Sequence, residues 1–133
     1  KHVPPRHCGN LHIPPAVSVN YITMRPINNS EKQLVTHLLS HVPTKFKIPD
    51  EVVVLDDGNM GSIQFVDPEN RSGRMYSSDL IEASYIDKDG IEVLITLILD
   101  NYNNLYELEF WKADFSELID YPTPNQVQIV VNK

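Results

Sequence analysis

Two glutamates on one strand form the arrangement of carboxylates best placed to do chemistry in this chain. Glu107 and Glu109 are two residues apart in the segment LYELEFWK, so both side chains project from one face of a strand, near Trp111. Paired acids can act as general acid and base when their surroundings separate their pKa values. Because no serine, cysteine or histidine nearby has the spacing to complete a mechanism, the pair favours contact with a basic partner over catalysis.

Two acidic turns offer oxygen atoms to a hard cation such as calcium. Asp87 and Asp89 precede Gly90, and Asp56, Asp57 and Asn59 surround Gly58. An EF-hand needs a twelve-residue loop that ends in a bidentate glutamate, and neither turn has one. Tight turns select aspartate, asparagine and glycine for backbone reasons, so these residues predict turns and no metal.

Histidines suggest two further metal sites that the spacing does not support. His37 and His41 are four residues apart on a predicted helix, but the glutamate of a metalloprotease helix is absent between them. His2, His7, Cys8 and His12 lie in a proline-broken segment without the paired ligands of a zinc finger. We therefore expect a polar helix face, a solvated leader and no cofactor.

The sequence DGNMGS at 57–62 contains two glycines three residues apart. Such a loop can hold a phosphate when it follows a strand and opens a helix. Strand-like residues follow it here, which predicts a hairpin connection with positions of positive φ.

One helix is predicted ahead of the sheet. Asn28 can cap it while Glu31 bonds back to the cap amide, and Pro43 ends it. Its apolar face consists of Leu34, Val35, Leu38, Leu39 and Val42.

Alternating segments joined by turns predict antiparallel strands over residues 52–55, 62–66, 79–86, 91–99, 105–112 and 127–131. The strand at 91–99 is apolar on both sides, which predicts a central position, covered on one side by the helix. In the strand at 105–112, Leu105 is expected to share a face with the two glutamates and Trp111, opposite Leu108. Phe110 and Phe115 are expected in the core and Trp111 at a rim. The fold predicted is α+β: an N-terminal helix packed on an antiparallel sheet of about five or six strands.

The charge is unevenly distributed over the 133 residues. Residues 1–25 carry three basic residues and no acid, whereas the remainder carries 8 basic and 18 acidic residues, a balance of −10. An acidic body repels nucleic acid and anionic lipid and attracts basic partners. Cys8 is the one cysteine, which favours a reducing compartment, the cytoplasm.

The boundary between leader and domain is predicted at residue 24. Residues 1–23 lack a periodic pattern and contain two proline pairs. One interpretation makes them an extension ahead of a start at Met24. The other lets residues 16–22 pair as an edge strand.

Several motifs together resemble an uncharacterised family of small bacterial proteins, a domain of unknown function. They are RPIN at 25–28, DGNMGS at 57–62, the Asp89-Gly90 turn and LYELEFWKADFS at 105–116. Asn59, Glu109 and Glu117 stand where the family pattern has Gly, Asp and Pro. The resemblance covers residues 24–121 and implies little chemistry, although it loosely implies a toxin-neutralising, immunity-type role.

The hypothesis drawn from these observations is a small acidic protein that binds a basic protein, such as a bacterial toxin domain. Its candidate contacts are Glu107, Glu109, Trp111, Asp87 and Asp89. The alternative is a small enzyme that uses paired carboxylates in a cleft near the 57–62 loop. A homodimer through an edge strand is a third alternative.

Overall fold

An antiparallel sheet of seven strands organises residues 24–130, the part of the chain that the computed structural model describes. In chain order the elements are β1 Met24–Pro26, α1 Asn29–Leu39, β2 Glu51–Val54, β3 Ile63–Phe65, β4 Tyr76–Ile86, β5 Glu92–Asp100, β6 Leu105–Lys112, a 3-10 helix Pro124–Gln126, and β7 Gln128–Ile129. The spatial order of the strands is β1-β2-β3-β6-β5-β4-β7, which places β5 and β6 near the centre.

The predicted combination of one N-terminal helix with an antiparallel sheet is confirmed, but the sheet is larger than expected. The additional strand is β1, in which Arg25 pairs with Val52 at one edge of the sheet. At the other edge, the strand expected at 127–131 is reduced to Gln128–Ile129, which pairs with β4. The leader and its edge-strand alternative at 16–22 lie outside the described residues.

Helix α1 begins with the predicted capping box. The side chain of Asn28 accepts a hydrogen bond from the amide of Glu31 at 2.8 Å, and the Glu31 carboxylate accepts one from the amide of Asn28 at 3.1 Å. Glu31 is buried and also forms a bidentate pair with Arg25 of β1, which ties the helix start to the sheet edge. In the described part of the chain, no helix is long and apolar enough to cross a membrane.

The core lies on one face of the sheet, between the strands and α1. Three helix residues, Leu34, Val35 and Leu38, are fully buried there. The strand residues packed with them include Val52, Ile63, Phe65, Val93, Ile95, Leu97, Leu108 and Phe110. Burying one such side chain stabilises the fold by about 1.5–3 kcal/mol, so this single layer accounts for most of the apolar stabilisation.

The phase of β6 differs from the prediction at its first residue. Leu99 pairs with Leu105, whereas Ile98 pairs with Glu107, so β6 carries one extra residue, Tyr106, in a bulge. Leu105 consequently faces the core and is buried, and the expectation that it shares a face with Glu107 is wrong.

The second face of β5 is covered over part of its length. Ile98 is 5% exposed, whereas Leu94 is 38% exposed. The prediction that β5 is covered on both sides therefore holds at Ile98 and fails at Leu94. The accessible part of this second face lies toward the β4–β5 turn.

Candidate functional site

A fully buried lysine joins three of the sequence motifs at one end of the sheet. The ammonium group of Lys112 donates hydrogen bonds to Asp87 Oδ2 at 2.8 Å, to Asp89 Oδ2 at 2.8 Å and to the carbonyl of Glu117 at 2.9 Å. We call these four residues the Lys112 cluster. It binds the end of β6 to the β4–β5 turn and to the segment that follows β6.

Asp87 is a structural member of this cluster. The residue is 3% exposed, and its carboxylate also accepts hydrogen bonds from the amides of Lys88, Ile119 and Asp120. Burial alone would raise the pKa of Asp87, but the Ile119 amide, the Lys112 ammonium and the other amides together lower that pKa to about 2. A buried carboxylate with these partners cannot meet a binding protein directly, so Asp87 is removed from the candidate contacts.

The side chain of Asp89 stabilises the same β4–β5 turn. Its Oδ1 accepts a hydrogen bond from the amide of Ile91 at 3.2 Å, while its Oδ2 is bonded to Lys112. Its side chain is about one third exposed. Because Asp89 Oδ2 is already bonded to Lys112 within the chain, we do not retain Asp89 as a contact either.

The 57–62 loop is a hairpin connection, as predicted. Asp57 accepts hydrogen bonds from the amides of Met60 and Ser62, and Gly58, Asn59 and Gly61 have positive φ. The side chain of Asp57 therefore stabilises the loop backbone.

This loop contacts β6 through two side chains. Ser62 Oγ accepts a hydrogen bond from the amide of Phe110 at 2.9 Å and donates one to the Phe110 carbonyl. Met60 Sδ accepts a hydrogen bond from the amide of Lys112 at 3.2 Å. The loop and the Lys112 cluster consequently form one connected structure.

Glu107 and Glu109 lie on the face of the sheet opposite the core. Thr96 of β5 pairs with Glu109 of β6 on one side and with Glu82 of β4 on the other. Glu82 and Glu109 therefore flank Thr96 across three adjacent strands. One step along, Trp111 is the partner of Leu94. We call Glu82, Leu94, Thr96, Glu107, Glu109 and Trp111 the open face. Glu82, Glu107 and Glu109 are half-buried on it.

Two aromatic residues meet at one end of the open face. The ring of Trp111, which is 45% exposed, makes an edge-to-face contact with the ring of Phe115, with centroids 5.5 Å apart. Trp111 thus occupies the rim position that the sequence predicts. Phe115 is 64% exposed, and its predicted core position is wrong because the turn after β6 directs the ring outward. We call Leu94, Trp111 and Phe115 the aromatic corner.

Other buried acids are matched by cations of the same chain. Arg71 pairs with Asp67 at 2.9 Å, and Arg74 pairs with Asp100 at 2.7 Å. The hydrogen bonds from Arg71 lower the pKa of Asp67 well below its usual range, assisted by backbone amides. Internal pairing therefore removes buried carboxylates from the surface and leaves the excess negative charge to exposed and half-buried acids.

Within the described residues, no acid lines the depression beside α1, which includes His37 of the histidine pair. His37 and His41 make an edge-to-face ring contact 5.0 Å apart, and within residues 24–130 no three His, Cys, Asp or Glu side chains are arranged to hold a metal ion. A shallow depression beside α1 is lined by Asn29, Lys32, Gln33, Thr36, His37 and Pro124. The predicted leader residues His2, His7, Cys8 and His12 lie outside the described part.

Three residues that the sequence analysis named, Glu107, Glu109 and Trp111, lie together on the open face, and their role as contacts remains a prediction. The sequence analysis did not assign the positions of Lys112 and Phe115 correctly. The inward orientation of Lys112 could have been predicted from strand alternation. Lys112 follows Leu108 and Phe110 at intervals of two residues, so its side chain lies on the same face of β6 as theirs. Phe115 carried no such signal, since its orientation depends on the turn.

The fold and site define a one-helix, antiparallel-sheet protein whose motifs converge on a buried ion cluster beside an acidic and aromatic sheet face. The chain belongs to the family described as a domain of unknown function, DUF6984, whose model matches residues 24–122. This match confirms the resemblance to a family of unknown function. No curated protein and no solved structure matches the chain.

Proposed function

We propose that this protein binds a basic protein partner through the open face. The observation that carries the proposal is the clustering of Glu82 on β4 with Glu107 and Glu109 on β6, the two strands that flank β5, next to the half-exposed ring of Trp111. Aromatic residues anchor many protein interfaces, and a complementary potential accelerates association and rejects wrong partners. A basic toxin domain is one partner with the required chemistry, in an immunity-type complex.

The distribution of charge supports this choice of partner. The chain has a net charge of −7. Arg25, Arg71 and Arg74 form ion pairs with Glu31, Asp67 and Asp100, which are acids outside the open face. Such a surface attracts a cationic protein and repels phosphates and anionic lipids.

The carboxylates favour binding over the enzymatic alternative. That alternative requires acids that converge in a cleft near the 57–62 loop. Asp57, the acid of that loop, is bonded to the amides of Met60 and Ser62, while Glu107 and Glu109 lie on a sheet face. A sheet face suits contact with a macromolecule better than enclosure of a small substrate.

The proposal is tested by a pull-down experiment. It compares the proteins that immobilised forms of this chain retain from an extract of the cells that produce it naturally. The immobilised baits are the unmodified chain, the Glu107→Gln/Glu109→Gln variant, and an Asp50→Asn/Glu69→Gln control that removes the same charge from exposed loop positions outside the sheet. We expect a basic protein to bind the unmodified chain and the control and to be lost from the open-face variant. Retention of the same proteins by all three baits, or of an acidic partner, would contradict the proposal.

A further inference from the structure

We propose that the aromatic corner is the anchor of this interface and receives an arginine side chain of the partner. The inference rests on the proposed function and deepens it by naming the group recognised. It commits to a different basic protein as the occupant of the corner. Charge complementarity supports this occupant, because Glu109 and Asp114 flank the corner and a second copy would carry the same net charge of −7.

The backbone of Phe115 is the first observation. Eight described residues have positive φ, and seven of them are glycine or asparagine, the residues that tolerate this conformation. Phe115, at φ 62°, is the eighth. A large aromatic residue in the left-handed region is strained, and such strain concentrates at binding and catalytic sites. The strain at Phe115 accompanies a ring that is 64% exposed, so burial of this ring in the core does not explain it.

The turn that presents Phe115 is firmly held. The amide of Phe115 donates to the carbonyl of Lys112 at 2.9 Å, and Asp114 accepts hydrogen bonds from both the amide and the hydroxyl of Ser116. The Lys112 ammonium bonds the carbonyl of Glu117 two residues beyond Phe115. The Lys112 cluster therefore fixes both ends of the turn, and a preorganised ring loses little entropy on binding.

The chemistry around the rings selects a guanidinium group. Carboxylates flank the corner: Glu109 lies two residues before Trp111 on the same face, and Asp114 precedes Phe115. Hydrogen bonds from Ser116 lower the pKa of Asp114, which keeps its carboxylate ionised. An arginine side chain can stack on an aromatic ring while it bonds a carboxylate, and it is more weakly hydrated than the ammonium group of lysine.

Trp111 is the one tryptophan of the chain, so its fluorescence reports binding at the aromatic corner. We would titrate the protein at low salt with a six-arginine peptide, a six-lysine peptide and an uncharged glycine-serine peptide, and follow Trp111 fluorescence. The arginine peptide should change the emission saturably and bind about threefold to tenfold more tightly than the lysine peptide. The uncharged peptide should have no effect. Equal affinity for arginine and lysine, or no saturable change with either, would overturn the inference.

Variants separate the ring from the charge. Phe115→Asn keeps a residue suited to the backbone and should weaken the arginine peptide about threefold to tenfold. Met75→Ala removes a similarly exposed apolar side chain, 58% exposed against 64% for Phe115, near the opposite end of β5 and should leave the affinity unchanged. If Phe115→Asn and Met75→Ala behave alike, the corner is not the anchor.

The two proposals can fail separately. Loss of arginine-peptide affinity in Glu107→Gln/Glu109→Gln with none in Phe115→Asn would retain the acidic face and overturn the arginine anchor. No loss in either variant would count against both. A concentration-dependent dimer of the unmodified chain that Phe115→Asn dissociates, measured by sedimentation, would assign the corner to a second copy and overturn the inference.

Discussion

Phe115 has a positive φ, and every other described residue with a positive φ is a glycine or an asparagine. A non-glycine residue held there costs on the order of 1–3 kcal/mol, and asparagine is several-fold enriched there because it tolerates the conformation better. The ring gains an edge contact with Trp111 but remains 64% exposed. Its contribution to folding is therefore small and its contribution to binding is the reason we propose for its presence.

Phe115→Asn should leave the free energy of unfolding unchanged or raise it by up to about 1 kcal/mol, because relief of backbone strain offsets the lost ring contact. Phe115→Ala, which removes the ring without relieving the strain, should be the less stable of the two. Urea unfolding monitored by circular dichroism gives both values. A loss of more than about 1 kcal/mol in the asparagine variant would show that the ring supports the fold.

Lys112 illustrates a residue whose role is structural although its chemistry is polar. Its ammonium group has three acceptors at hydrogen-bonding distance and no exposed surface. The carboxylates beside it outweigh the effect of burial and raise the pKa of Lys112 above its ordinary value. Removing one member of such a buried pair leaves the other charge uncompensated.

Lys112→Met should lower the thermal midpoint by roughly 10 °C or more, since it strands the buried Asp87 carboxylate. The matched control is Lys88→Met, which makes the same change at an exposed position in the neighbouring turn and should shift the midpoint by no more than about 2 °C. Differential scanning calorimetry measures both. Similar midpoints for the two variants would show that the Lys112 cluster does not hold the fold together.

The 57–62 loop is joined to β6 by a side chain, at a point where the backbone pairing of β3 with β6 has ended. The β3–β6 pairing contains Ile63 with Leu108 and Gln64 with Glu107. Beyond these pairs, Ser62 Oγ bonds the amide and the carbonyl of Phe110 and so takes the place of a backbone partner. A hydroxyl can do both because it donates one hydrogen bond and accepts others.

Ser62→Ala should lower the free energy of unfolding by about 2 kcal/mol, because the amide and carbonyl of Phe110 both lose a buried partner. The corresponding change at an exposed serine, Ser77→Ala, should cost no more than about 0.5 kcal/mol. Denaturant titration compares them. If the two variants are equally stable, the Phe110 backbone groups find other partners and the assigned role of Ser62 fails.

The elements themselves were largely predictable from local signals. The capping box of α1, the β4–β5 turn before Gly90 and the positive φ values of the 57–62 loop each follow from a few adjacent residues. Periodicity likewise predicted β5 and Trp111 at a rim. These features depend on short-range geometry, which is why a single sequence specifies them.

Other parts of the fold and site depend on contacts between distant residues. The bulge at Tyr106 changes the phase of β6 and could not be seen in an alternating sequence. Asp87 looks like an exposed turn acid until Lys112, 25 residues later, is placed beside it. Burial and ion pairing are therefore our reasons for withdrawing the two turn residues from the proposed contacts, whereas the strand residues remain a prediction.

At the scale of the whole molecule, acid should weaken the fold between about pH 4 and pH 2. The pKa of Asp87 is lowered from 3.8 to about 2, and that of Asp67 is also lowered. A lowered pKa means that the folded state favours the ionised carboxylate, so this stabilisation is complete above the unfolded-state pKa and is lost as the pH falls through the folded-state pKa.

The urea midpoint should therefore change little from about pH 7 to pH 5 and fall steeply below about pH 4. Asp87→Asn removes one of the titrating groups, so its midpoint should be lower near neutral pH and fall less steeply with acid. A midpoint of the unmodified protein that stays constant down to about pH 2 would contradict the assigned role of these carboxylates.

The excess of acids also gives the molecule a negative field that acts before contact. Carboxylates on β4 and β6 concentrate part of that field on the open face, next to Trp111. Such fields raise association rates by about 10–1000-fold and weaken with salt. The proposed function thus predicts a rate that depends on where the charge lies as well as on its total.

The most direct measurement is the association rate of the retained basic partner as a function of salt, determined by stopped-flow or surface plasmon resonance. Glu107→Lys/Glu109→Lys should associate about tenfold more slowly or worse at low salt, with a flatter salt dependence, because the steering field is reversed on the binding face. Asp50→Lys/Glu69→Lys changes the net charge equally at exposed loop positions outside the sheet and should retain most of the rate. Equal rates for the two variants at every salt concentration would contradict the account.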